Sequence, residues 1–205
     1  MATPIGHALA GYAVYQLSAG ATPKKKPTFL WLCVLMAMAP DLDFIPGILR
    51  GQPNLYHQGI SHSVGVGLVV SCGMAAVYSL GKGTFWSDWG LLFLAYASHL
   101  VIDFFGPDGR PPYGQPLLWP LSREYYLAPV PVFLGVRHAK SVSASPGEWM
   151  IAIFHVRNLL AIGIEVLVIA PLVIGVRYLQ HFRRGAQGQE ETKEQANDAL
   201  QRLLR

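Results

Sequence analysis

The sequence predicts an all-α membrane protein, a polytopic helical bundle of about four to five membrane helices with a metal site at one membrane face. Three observations predict it. Hydrophobic residues make up 52% of the 205-residue chain and charged residues 14%, against about 25% charged residues in an ordinary soluble domain. The mean hydropathy is +0.32. Five apolar segments follow one another, parted by proline, glycine or basic breaks. The length suits one domain and hardly two. We place it at residues 1–182, with 183–205 as a polar C-terminal tail.

The first segment, residues 5–21, "IGHALAGYAVYQLSAGA", reads as a helix rich in Gly and Ala. Thr3 is placed to cap it and Pro4 suits its first turn. "TPKKKP" breaks the chain before the second segment, residues 28–39, "TFLWLCVLMAMA". Pro40 then bends or ends that helix, and "DLDFIPG" follows. Residues 64–81, "VGVGLVVSCGMAAVYSLG", are an uncharged stretch of 18, at the spanning threshold. Their glycines read better as close helix packing than as a nucleotide loop, since no strand precedes them. Residues 89–105, "WGLLFLAYASHLVIDFF", are apolar except for His99 and Asp103. Residues 106–148 are rich in Pro, Gly and aromatics and read as a long structured loop. Residues 158–176 make the last span, inside which Glu165 is expected to be protonated or paired with a neighbouring helix. The tail from Arg177 reads as solvated, a partly disordered or frayed helix.

The net charge of +4 is carried by scattered residues beside apolar segments. That suits membrane flanks, makes lipid the expected partner, and gives no footprint for nucleic acid. "MATPIGHALAGY" lacks the basic start of a cleavable signal peptide. Cys33 and Cys72 sit in apolar runs and read as small buried hydrophobes, not as a disulfide or zinc pair.

Placing Lys24, Lys25 and Lys26 in the cytoplasm and letting each segment cross once puts Lys82, Arg177, Arg183 and Arg184 inside as well. His7, Asp41, Asp43, His57, His62, His99 and Asp103 then all fall on the outer face. Reversing the topology keeps them together on the other face. Taken singly, each would pass for a satisfied polar group or a helix cap. Seven on one face are hard to assign to chance, because an ionisable group near a bilayer centre costs roughly 2.5–3.5 kcal/mol. His99 and Asp103, four apart, share a helix face. Asp41 and Asp43 repel each other unless a cation or a proton lies between them. Imidazole and carboxylate together suit zinc or manganese. In "GISHS", Gly59 offers backbone freedom and Ser61 is placed to cap a helix starting near His62. His138, His155 and His181 lie by basic residues and read as surface groups.

The stretches "TPIGHALAGY", "APDLDFIP", "YHQGISHS" and "HLVIDFF" resemble, in order, the motifs of the YdjM-like family. These are inner-membrane predicted metal-dependent hydrolases, LexA-regulated in some bacteria. The resemblance covers roughly residues 1–120. The family is distantly similar to zinc-dependent phospholipase C and P1-type nucleases. That similarity implies one metal on Asp43, His57, His99 and Asp103, with Asp103 bridging to a second held by His7. It leaves His62 as a second-metal ligand or the phosphate contact.

The function expected from all this is a membrane-bound hydrolase with one or two divalent ions, zinc first among them. It would act on a phosphoester, a lipid headgroup being the nearest at hand. Asp41 would accept the proton of the attacking water. The other reading is a non-enzymatic membrane protein with a structural or transported metal ion. The expected location is the inner membrane, multi-pass, with the site on the extracytoplasmic face.

Overall fold

A computed structural model describes residues 2–18, 27–51, 55–82, 84–109, 111–136 and 154–203, with 183–203 described in their backbone alone. The described residues are helical, with no strand beyond one isolated bridge between Gln115 and Tyr126. The helices are α1 (Pro4–Ser18), α2 (Pro27–Met38), α3 (Phe44–Leu49), α4 (Val64–Tyr78), α5 (Phe85–Phe104) and α6 (Val156–Leu203). Short 3₁₀ turns, Ala39–Asp43 and Ile60–His62, precede α3 and α4.

α5 is the axis of the bundle. It packs on α1, α2 and α4, while α6 lies on the far side of α1. One apolar cluster joins Val14, Phe29, Cys33, Met36, Leu92 and Tyr96 from α1, α2 and α5. A second joins Ala10, Ile102, Ile169 and Val173 where α6 meets α1 and α5. α1 and α2 cross closely because position 11 is glycine. A Cβ there would lie 2.7 Å from the Cys33 carbonyl oxygen, so any side chain would force the helices apart.

Among the described residues, two stretches are long and apolar enough to cross a membrane, Pro27–Leu49 and Val156–Phe182. This corrects the expected four to five. α1 and α4 have 15 residues each and rise only about 22 Å, short of a hydrocarbon core of about 30 Å. α5 has 20 residues, but buries Asp88, His99 and Asp103. Its apolar run is therefore spent on partners within the protein.

Local boundaries differ too. The α-helix of the second segment ends at Met38, just before Pro40 as expected, but the chain then tightens into a 3₁₀ turn and continues through α3 to Leu49. The fourth starts at Phe85, and the third ends at Tyr78. The last helix runs unbroken to Leu203, through the segment expected to be a tail. Thr3 does cap α1, accepting from the Gly6 amide at 3.2 Å. The cap of α4 is Ser63, not Ser61; Ser63 accepts from Val66 N at 3.2 Å. Cys33 is buried as expected, whereas Cys72 is exposed. The lysine cluster 24–26 and His138 lie outside the described residues.

Candidate metal centre

The cluster assembles from four pieces of chain. α5 supplies His99 and Asp103, one turn apart, with His99 Nε2 3.4 Å from Asp103 Oδ2. His99 Nδ1 lies 2.8 Å from the Ala37 carbonyl. A carbonyl only accepts, so Nδ1 donates to it and Nε2 turns toward the other donors of the cluster.

The loop after α3 supplies His57 and His62. Gln58 turns the chain between them with φ +60, a left-handed conformation uncommon for a residue with a side chain. The backbone freedom expected of Gly59 is thus used at Gln58; Gly59 has φ −78. Asp43 ties both rings down. Its Oδ1 is 2.9 Å from His57 Nδ1, and its Oδ2 is 3.2 Å from His62 Nδ1 and accepts from Ser61 Oγ at 2.8 Å. His62 therefore gives its Nδ1 proton to a carboxylate and turns Nε2 inward. Tyr96 donates from its hydroxyl to the Ser61 carbonyl and fixes the same turn. Phe44 stacks on His57 with ring centroids 3.9 Å apart.

The two Nε2 atoms stand 3.3 Å apart. Beside them lie Asp41 Oδ1, 3.6 Å from each, and Asp103 Oδ2, 3.7 Å from His62. These two carboxylate oxygens are buried and have no hydrogen-bond donor. Two nitrogens and two anionic oxygens without a donor face one another, an arrangement that a cation or a proton relieves. The separations also match. Donors at about 2.0–2.2 Å from a tetrahedral ion stand roughly 3.3–3.6 Å from one another. The side chains therefore fit a divalent ion held by Asp41, His62, His99 and Asp103. Asp43, His57 and His62 form a second group of suitable donors.

His7 lies on the other side of Asp103. It stacks on His99 at 3.7 Å, and its Nε2 is 3.5 Å from Asp103 Oδ1, which also accepts from Ala2 N at 2.8 Å. Neither ring nitrogen of His7 has a hydrogen-bond partner. All seven residues singled out in the sequence thus meet in one place. The grouping differs from the one the resemblance implies: Asp41 and His62 stand with His99 and Asp103, while Asp43 and His57 stand together beside them.

Two further contributors stand outside the seven. Glu165, fully buried on α6, accepts from Thr3 N at 2.7 Å and from the Thr3 hydroxyl. It thus fastens the segment that carries Ala2 and His7. Its predicted partner on a neighbouring helix is the start of α1. A Cβ at position 6 would sit 2.5 Å from Glu165 Oε2. Gly6→Ala is expected to cost about 1–3 kcal/mol and nearly nothing in a Glu165→Ala background, read by thermal unfolding in detergent. Equal cost in both backgrounds would refute the clash. The other contributor is Tyr96, which no spacing in the sequence ties to Ser61. His181 is exposed as expected, and His155 is half-buried, accepting from Arg157 N at 3.1 Å.

Burial alone would push the His62 imidazolium down. The carboxylates of Asp41, Asp43 and Asp103 outweigh it and raise its pKa to about 9. In the metal-free protein a proton therefore stands where the fit places a cation. Because the folded value lies above the unfolded 6.5, this contribution is complete below pH 6.5 and is lost as pH rises through 9. It amounts to something on the order of 3 kcal/mol. Metal-free protein should show a falling Tm across that window, and zinc-loaded protein should not. A flat profile for the metal-free form would contradict this.

Residues 1–183 match the family model described as YdjM inner membrane protein. No curated protein and no solved structure matches the chain, so the kinship with phospholipase C and P1-type nucleases finds no support among them.

Proposed function

The chain belongs to the YdjM inner membrane protein family, and from that membership and the buried His–Asp cluster we propose that it is a membrane-bound, metal-dependent phosphoester hydrolase. One or two divalent ions, zinc first, would occupy the cluster. A bound ion supplies Lewis acidity and brings the pKa of water from 15.7 to about 7. The residues do the rest. His62 and His99 are oriented by Asp43 and Ala37. Asp41, the only one of the four donors with appreciable exposure, at 20% of its side chain, is where water reaches the cluster, and it accepts the proton. The oxygen of water forms a bond to phosphorus, the ester P–O bond breaks, and the leaving alkoxide takes the proton back. The chain crosses the membrane more than once, with the cluster on the extracytoplasmic side.

The observation that carries this reading is that one edge of the seven-residue cluster borders a cavity. Asp43, which braces His62, also lines a cavity of about 630 Å³ together with His57 and Ser61. A second reading, a structural or transported ion without catalysis, draws on a different observation. Four protein donors complete a tetrahedron, as closed structural sites do. Elemental analysis of purified protein followed by a phosphomonoester and phosphodiester panel separates them. Bound zinc with no turnover on any phosphoester supports the second; absence of metal after zinc loading refutes both.

A further inference from the structure

The cavity's inner wall is Asp43, His57 and Ser61, and its outer wall is Pro46, Leu55 and Ile60 with Pro111, Pro112 and Tyr125. The three pieces of chain that supply this lining also expose apolar side chains. Ile45, Ile48 and Leu49 stand out from α3, Leu55 and Ile60 from the next loop, and Tyr113 from the segment beyond α5. Leu49 is 82% exposed. In water such a contiguous apolar rim is unfavourable. α3 is also the end of the candidate span Pro27–Leu49, so this rim belongs at the edge of the hydrocarbon layer. Directly after α3 comes Arg50. Its guanidinium donates to the Tyr56 hydroxyl and lies 5.5 Å from the centre of that ring, and Tyr56 lines the cavity. A cation is thus held against a residue that lines the cavity, one position beyond the end of the candidate span, where a lipid phosphate would meet it.

We propose that this cavity binds a membrane phospholipid, taken laterally from the bilayer, with its acyl chains along the rim of α3 and its phosphate drawn in past Arg50 toward Asp43 and His57. That this lipid is also the substrate rests on the hydrolase reading above. Arg50 is then the specificity-determining group. A guanidinium grips phosphate oxygens in pairs and discriminates in favour of lipids whose headgroup adds no positive charge of its own.

The test uses zinc-loaded full-length protein in vesicles of mixed anionic and zwitterionic phospholipid, with a trace of phospholipid carrying a photoactivatable diazirine in one acyl chain. Labelled peptides are expected to contain Ile45–Leu49 and Leu55–Ile60, and labelling there should be displaced by excess anionic lipid. Arg50→Gln should weaken displacement by anionic lipid about tenfold or more, the loss of one hydrogen bond to a charged group. Arg50→Lys should restore part of it, and metal content should not change. Labelling confined to α6 and absent from these peptides would overturn the proposal. So would displacement that Arg50→Gln leaves unaltered. Labelling at the cavity without turnover of any phosphoester would uphold the lipid site and overturn the hydrolase reading. Turnover of a water-soluble phosphodiester without cavity labelling would do the reverse.

Discussion

Asp103→Ala and His99→Ala are each expected to strip the protein of tightly bound metal, with affinity falling well beyond the 10–100-fold that loss of a supporting residue causes. Asp103 Oδ2 and His99 Nε2 are two of four donor atoms that stand 3.3–3.7 Å apart wherever a separation is known. Removing either leaves three donors and a buried charge without a counter-charge. Because each change destroys the same unit, the double variant should be scarcely worse than either single one. Asp103→Asn is the more discriminating variant, since it keeps the shape and removes only the charge. Zinc content after dialysis and competition against a chromogenic chelator measure the loss. Additive losses of activity on a fully metallated protein would mean that the two residues do not share an ion.

The second large effect separates His57 from His62. His62→Ala should lose the metal, because its Nε2 is a corner of the four-donor set. His57→Ala should retain the metal held by Asp41, His62, His99 and Asp103 and lose most turnover, because His57 faces the cavity. The resemblance to phospholipase C and P1-type nucleases implies the opposite division of labour, with His57 on the first metal. What reverses it is that Asp43 spends one oxygen on each histidine, at 2.9 Å from His57 and 3.2 Å from His62. Metal loss on His57→Ala with retention on His62→Ala would restore the earlier assignment.

What could be read in the sequence was the membership of the cluster. His and Asp residues inside apolar runs stand out because they are expensive there, and any single-crossing arrangement of those runs gathers them at one end. The partners within the cluster could not be read. Which nitrogen of His62 faces which carboxylate depends on a left-handed residue at Gln58 and on Tyr96 reaching Ser61, and neither leaves a mark in spacing or hydropathy. The count of crossing helices failed for a related reason. Hydropathy does not say whether an apolar face meets lipid or protein, and α5 meets protein on three sides. Glu165 was visible as an anomaly, but its partner is 162 positions away.

The donors come from widely separated places, and this bears on how the chain is made. Asp41 and Asp43 leave the ribosome with their own helix, while Asp103 follows some sixty residues later. At roughly 5–20 residues per second, the two early carboxylates wait on the order of 3–12 seconds for their last partner. Asp43 can meet His57, Ser61 and His62 within about twenty residues, but the four-donor set stays open at the end of an apolar run until His99 and Asp103 are made. The cluster can therefore close only after α5, the axis helix, has been made.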